Sequence, residues 1–177
     1  RGKSELVKKN TVNQTSSGLD RDYITQWSYG IDETMTLLVP DAKGGASAPL
    51  SQNSTAMKHA DSNVEQMLPT IYDSMPQYFG TQPGTSGPVY VGAFVLFLFI
   101  LGLFIVKGPM KWALLAATIF SILLSWGKNF MPLTDFFIDY VPMYAKFRTV
   151  ASILVVAEFT IPLLAILALK SGHPFAF

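Results

Sequence analysis

Three long apolar segments lie in the second half of the chain and dominate its hydropathy pattern. Val89–Val106 carries no charge, Trp112–Trp126 is bracketed by two tryptophans, and Val150–Leu169 carries a single charge, Glu158. About 20 apolar residues form a helix long enough to cross the hydrocarbon core of a bilayer. Tryptophan also favours the boundary between lipid and water. A buried helix of a soluble protein is the alternative for the second segment. The predicted transmembrane helices are at about 89–106, 110–127 and 150–169.

The first half of the chain has a different composition. Residues 1–88 are rich in Ser, Thr, Asn, Gly and Pro and carry seven basic and nine acidic side chains. They contain too few apolar residues for a core of their own, so we expect them to pack on the membrane helices or on segments outside this chain. The predicted elements are a helix-forming stretch Tyr23–Leu38 broken at Gly30, a loop Asp41–Asn53, a helix Ala60–Tyr72 and a turn-rich stretch Gly80–Pro88.

Together these patterns predict a mainly α fold. The chain is expected to be a fragment of a polytopic membrane protein, with an N-terminal extracytoplasmic region of α and irregular structure followed by three transmembrane helices. The predicted boundaries are 1–88 for the polar region, 89–170 for the membrane region and 171–177 for a tail.

The short loop Lys107–Lys111 sets the predicted orientation, because two lysines in five residues favour the cytoplasmic side. Residues 1–88 and the outer interfacial loop 128–149 are then extracytoplasmic. The outer loop carries basic residues of its own, which weakens this argument from the cytoplasmic preference of basic residues. Long loops nevertheless cross the membrane with little regard to their charge.

Several kinds of site are excluded by composition. The chain has no cysteine, which removes disulfides, thiol catalysis and cysteine-based zinc sites. His59 and His173 lie far apart in the sequence, and no metal site or cofactor is predicted. Gly44-Gly45 lacks the Lys-Ser/Thr of a phosphate-binding loop. A net charge of +1 gives no reason to expect nucleic acid.

The stretch Ser125–Arg148 carries the most informative chemistry. Between Pro132 and Pro142 its aromatic residues suit a short helix lying in the outer interface. Asp135 and Asp139 are four residues apart, so this helix places both carboxylates on one face.

Basic residues flank this helix where the neighbouring spans meet water. They suit an anionic lipid headgroup or pyrophosphate, and the fork of Arg148 matches phosphate oxygens better than lysine does. The alternative is simple anchoring by side chains that extend to the interface. Glu158, inside the third span, is either functional or paired with a basic residue. Glu33 is interpreted as a solvated or capping residue. The candidate substrate-binding residues are Lys128, Asp135, Asp139, Lys146, Arg148 and Glu158.

Several long runs resemble the YfhO family of bacterial membrane proteins. They include GLDRDYITQWSYG, VPDAKGGAS, YFGTQPGTSGPVYVGA, SWGKNF and DFFIDYVPMYAKFR. The resemblance covers about Arg1–Lys170, and the tail SGHPFAF at 171–177 does not fit it. It implies that the chain is a middle portion of a longer inner-membrane protein with a fold like that of the GT-C glycosyltransferases.

The resemblance also implies a function. The expected reaction is sugar transfer from a polyprenyl-phosphate donor to a cell-envelope acceptor, with membrane lipids and the remaining spans as partners. The catalytic carboxylate of such enzymes usually follows the first span, which here would precede Arg1. The catalytic residue is therefore unknown, and the fragment alone is expected to be inactive. A lipid or polysaccharide transporter and a non-catalytic envelope scaffold are the alternatives.

Overall fold

A computed structural model describes residues 20–52, 70, 73–85, 89–142, 144–146 and 149–172, and within these it is mainly helical. The extended backbone of the described ranges forms only isolated bridges, Ala42 with Gly44 and Pro49 with Pro76. Short 3₁₀-helices occupy Asp32–Leu37, Leu50–Gln52, Gly127–Phe130, Tyr144–Lys146 and Val150–Leu154. The α-helices are α1 (Arg21–Ile24), α2 (Ala93–Ile105), α3 (Met110–Ser125), α4 (Met131–Tyr140) and α5 (Val155–Gly172).

One helix in the described part of the chain is by itself long and apolar enough to cross a membrane. It runs over Val150–Gly172, where the last 3₁₀-helix continues into α5, and it has 23 residues with a mean hydropathy of 2.4. Helix α3 and the segment Gly127–Tyr140 pass the same test jointly, but they meet at an angle of 107°. Helix α2 has 13 residues and is shorter than the predicted first span, because residues 89–92 are not helical. The three-span arrangement therefore stays a prediction.

The surface of the three apolar helices is unusually hydrophobic. Phe104 is 80% exposed and Phe159 is 68% exposed, and many neighbours share this exposure. Soluble monomers rarely expose large continuous apolar patches. This surface suits lipid or further apolar protein better than water. Other large side chains of this kind are Phe94, Phe97, Ile100, Trp112, Ile119 and Ile166.

Helices α2 and α3 both pack against α5 through small or hydroxylated residues. A Cβ atom added to Gly102 would lie 3.0 Å from both Cγ and the carbonyl oxygen of Leu164 and 3.3 Å from Cβ of Ala168. The hydroxyls of Thr118 and Thr160 share a buried hydrogen bond of 2.7 Å between α3 and α5. Close backbone approach and interhelical hydrogen bonds are typical of membrane helix pairs.

The predicted short helix between Pro132 and Pro142 is confirmed as α4. Pro132 lies in its first turn, where the missing N–H costs no helical hydrogen bond. Before it the chain turns sharply at Gly127, whose φ of 44° suits glycine. A Cβ at Gly127 would also collide with the Ser28 hydroxyl. The bend therefore depends on glycine both for its backbone angle and for contact with the polar segment, by which we mean the described residues 20–52 and 73–85.

The polar segment packs on the helices, as its shortage of apolar residues predicts. Ile24 forms a buried cluster with Ile138 and Val150. The Tyr29 amide donates to the Ser125 carbonyl at 2.8 Å, and the Ala151 amide donates to the carbonyl of Trp27 at 3.1 Å.

Two helices were predicted in the polar region, and the structure does not confirm either of them. The predicted helix over Tyr23–Leu38 is wrong in its type, since α1 ends at Ile24 and the later part, Asp32–Leu37, is a 3₁₀-helix. The helix stops well before the predicted break at Gly30, which lies in the non-helical stretch 25–31, where Trp27 and Tyr29 bond through their backbone to Ala151 and Ser125. The predicted helix Ala60–Tyr72 lies outside the described residues, apart from Thr70.

Candidate functional site

A cleft of about 270 Å³ lies where the polar segment meets the beginning of the long apolar helix. One wall comes from the polar segment and includes Tyr29, Glu33, Lys43 and Tyr78. The other wall comes from residues 151–158 and ends at Glu158. The cleft therefore combines ionisable side chains with the apolar surface of the helix.

Glu33 is the most buried ionisable group of this cleft, with 1% of its surface exposed. Its Oε2 accepts from the Gly30 amide at 2.6 Å, and its Oε1 accepts from the Thr81 amide at 2.9 Å and from the Tyr78 hydroxyl. Gly80 permits this approach, since a Cβ there would collide with Oε1. A buried carboxylate needs such partners to compensate for lost hydration. The solvated interpretation of Glu33 is therefore wrong, and its contact with the Gly30 amide lies one residue before the N-cap Ile31, which has no side-chain cap.

Tyr78 joins the two parts of the polar segment. Burial and the hydrogen bond to the Glu33 carboxylate raise the pKa of Tyr78 well above its usual range. Its oxygen also accepts from the Gln82 amide at 3.0 Å. The phenol thus stays protonated and organises the turn 78–82 at the edge of the cleft.

Tyr29 is held on several sides. Its hydroxyl shares a 2.5 Å hydrogen bond with Thr36 Oγ1, and its carbonyl accepts from Asn129 Nδ2 at 2.8 Å. Burial raises the pKa of the Tyr29 phenol, and the charges of Glu33 and Glu158 add to the effect. Tyr29 is therefore influenced by both carboxylates of the cleft, and its backbone is held by Ser125 and Asn129.

Lys43 supplies a positive charge to the cleft and forms an ion pair with Asp32. The hydrogen bond from Lys43 lowers the pKa of Asp32, so the pair is charged at neutral pH. Asp32 is exposed, which limits the strength of the pair. Part of the charge of Lys43 is thus already neutralised within the protein.

Glu158 lies in the first turn of α5 and is exposed to the cleft. Within the described ranges it forms neither an ion pair nor a hydrogen bond through its side chain. The ion pair with a basic residue, which was the alternative prediction for Glu158, is therefore not found among the described residues. Pro162 follows one turn later, and α5 continues through it without a break.

The two aspartates predicted to share a helix face do so, and both contact Arg21. Its Nη1 binds Asp135, and its Nη2 lies 2.5 Å from Asp139. The pair of carboxylates thereby fastens α1 to α4. This contact occupies the face that the sequence assigned to a substrate.

The structure describes two of the three predicted basic residues, Lys128 and Lys146. Lys128 Nζ lies 3.4 Å from the Thr81 carbonyl, next to the turn that binds Glu33. Lys146 is exposed and is not part of the cleft. Arg148 lies outside the described residues. Of the predicted site residues, Glu158 lines the cleft and Lys128 lies at its edge.

Sequence reasoning missed the polar wall of the cleft. Glu33 and Tyr78 are 45 positions apart in a region without hydrophobic periodicity. One local signal was present: Glu33 follows Gly30 by three residues, which is the spacing of a side chain that caps a preceding amide.

No protein-family model, curated protein or solved structure matches this chain. The YfhO resemblance stays a prediction.

Proposed function

We propose that this chain is part of a YfhO-like membrane glycosyltransferase that transfers sugar from a polyprenyl-phosphate donor to a cell-envelope acceptor. The observation that carries the proposal is the position of the cleft. It opens between a polar segment and the beginning of the apolar helix Val150–Gly172. An enzyme that joins a lipid-linked sugar to a water-soluble acceptor needs such a boundary.

The proposal includes three membrane spans built on α2, α3 and α5. Their exposed aromatic and aliphatic side chains support it, as does the interhelical contact of Thr118 with Thr160. The polar segment and α4 then lie on the outer face, and the loop Lys107–Lys111 faces the cytoplasm. Helix α4, at 107° to α3, lies along the interface with its exposed Phe136 and Tyr140 towards lipid.

Each side of the cleft has a role in this reaction. Glu158 accepts hydrogen bonds from sugar hydroxyls, and Lys43, which has N–H groups beyond its contact with Asp32, donates to them. Lys128, at the edge, attracts the phosphate of the donor, and Arg148 is a second candidate for this contact from its sequence. The general base that deprotonates the acceptor comes from another part of the longer protein.

Deleting the gene and comparing envelope glycans by mass spectrometry tests the proposal in cells. We expect one glycan modification to disappear and to return when the wild-type gene is restored. Unchanged glycans, in a parent strain that expresses the protein, would contradict the proposal.

Reconstitution of the full-length protein separates the alternative functions. Purified protein in vesicles receives a labelled polyprenyl-phosphate sugar and an acceptor. Transfer of label to the acceptor supports the enzyme, whereas movement of label across the bilayer without transfer identifies a transporter. Glu158→Gln should lower transfer, whereas Asp41→Asn, an equal change of charge at an exposed residue outside the cleft, should not.

A further inference from the structure

The charges around the cleft do not balance. Glu33 and Glu158 both line it, Lys43 is the basic side chain among its described lining residues, and Lys128 lies only at its edge. Lys43 is already paired with Asp32, so it cannot fully compensate both carboxylates. The interior of the cleft is therefore negative, and the apolar wall at Leu154 and Val155 weakens the screening of this charge by water.

The hydrogen-bonding capacity of the cleft is also unevenly distributed. Glu33 already accepts three hydrogen bonds of the roughly four that a carboxylate accommodates. Glu158 uses none of its capacity within the described ranges. Lys43, with three N–H groups, retains donors beyond its contact with Asp32. The available groups are thus a free carboxylate on one wall and lysine donors on the other.

From this arrangement we infer that the cleft selects a sugar unit that is uncharged or cationic and rejects one that carries a carboxylate. The inference depends on the proposed function for the choice of a sugar as ligand. Adjacent sugar hydroxyls donate to Glu158 and accept from Lys43, and an amino group on the sugar strengthens the contact with Glu158. A volume of about 270 Å³ suits a single sugar ring, since pockets for larger ligands span roughly 300–1,000 Å³.

A uronic acid places a third carboxylate in this space. Like charges that lie close together repel, and the repulsion is several-fold stronger in a partly apolar site than in water. We therefore expect the affinity for a uronic acid to be lower by on the order of tenfold or more than that for the matching neutral sugar.

The test measures binding, without transfer, to the full-length protein in nanodiscs of phosphatidylcholine. The probes are methyl glucoside, glucosamine and glucuronate, compared by saturation-transfer NMR, with phosphoethanolamine as a probe for a lipid headgroup. The expected order of affinity is glucosamine, then methyl glucoside, then glucuronate. Equal or tighter binding of glucuronate, tighter binding of phosphoethanolamine than of either favoured sugar, or no sugar binding at all would each overturn the inference.

Glu158→Gln shows whether the cleft causes the selection. This side chain is exposed, so the variant is expected to fold, which its melting temperature verifies. The preference for glucosamine over glucuronate should fall several-fold in Glu158→Gln and stay unchanged in Asp41→Asn. An unchanged preference in Glu158→Gln would place the selection elsewhere and refute the inference. Because binding is measured alone, a failed transfer assay with intact selection would refute only the proposed function.

Discussion

The Tyr78 hydroxyl donates a hydrogen bond to Oε1 of Glu33, 45 residues away in the sequence. The bond joins the 3₁₀-helix Asp32–Leu37 to the turn that precedes α2. Both ends lie on the polar wall of the cleft. The stability of the polar segment and the shape of the candidate site therefore depend on the same contact.

Replacing Glu33 by Gln should destabilise the folded protein. The glutamine amide has one acceptor oxygen and one NH₂ group, so it cannot accept hydrogen bonds at both positions that the Oε atoms of Glu33 occupy. With its oxygen towards Tyr78 and Thr81, its nitrogen faces the Gly30 amide, and a buried donor loses its partner. Such a loss costs about 1–3 kcal/mol. Thermal melts of the purified variant measure it.

Asp41→Asn is the matched control for Glu33→Gln. It removes the same charge from an exposed side chain whose backbone, with φ of 56°, suits asparagine. Its melting temperature should equal that of the wild type. Equal melting temperatures for Glu33→Gln and Asp41→Asn would contradict the buried hydrogen-bond network around Glu33.

Tyr78→Phe should change how stability depends on pH in alkaline solution. The folded-state pKa of Tyr78 is raised by burial and by Glu33, whereas the unfolded value is about 10. The unfolded chain then loses its proton first, so the stabilisation is complete below about pH 10 and decreases as pH rises towards the folded pKa. Melting temperatures between about pH 8 and pH 11 should fall less steeply in Tyr78→Phe than in the wild type.

Burial also raises the pKa of Tyr29 and of Tyr144, so Tyr78→Phe removes only part of the alkaline loss. Tyr140→Phe, which removes the hydroxyl of a side chain that is 74% exposed, is the control and should follow the wild type. Identical slopes for wild type and Tyr78→Phe would show that Glu33 does not hold this phenol.

Continuous apolar runs predicted the positions of α3 and of the helix Val150–Gly172 because such runs report on burial and length, whereas α2 begins four residues after the start of the predicted first span. The starts at Met110 and Val150 are correct to the residue, and the proline pair around α4 was informative because proline restricts the backbone. The polar wall was not predictable in this way. Its elements are short, and its contacts are made by single polar atoms over long sequence separations, which leave no periodic signal.

The aspartate pair shows a second limit of the sequence. The spacing of Asp135 and Asp139 placed both on one helix face, which is correct. Spacing alone does not identify what that face binds. Arg21, more than a hundred positions away, contacts it in the folded chain.

A double-mutant cycle measures the contribution of Arg21. Arg21→Gln and Asp135→Asn, alone and combined, should give a coupling energy of at most about 1 kcal/mol, because the pair is partly exposed. The coupling should shrink at high salt. Arg21→Lys should keep only part of it, since lysine cannot contact both aspartates with a rigid fork. A coupling of zero at low salt would contradict the contact.

Gly102→Leu should loosen the packing of α2 on α5. A side chain at this position meets Leu164 and Ala168, and overpacking of this kind costs about 1–3 kcal/mol. Gly172→Leu is the control, because no described residue lies within 4 Å of a Cβ there. Melting of both variants in the same detergent makes the comparison. Equal melting temperatures would show that the two helices do not approach as closely as described.

The three-span arrangement predicts which residues a membrane-impermeant maleimide reaches in intact spheroplasts. The chain contributes no cysteine of its own, so single cysteines report without background from it. Gln52→Cys, on the exposed surface of the polar segment, should be labelled at once. Met110→Cys and Ser171→Cys, at the opposite ends of α3 and α5, should be labelled only after permeabilisation, because both lie on the cytoplasmic side. If Met110→Cys and Ser171→Cys were labelled in intact spheroplasts and Gln52→Cys were not, the orientation would be the opposite of the predicted one. Labelling of all three in intact cells would show that no membrane separates them, and the spans would be refuted along with the boundary position of the cleft.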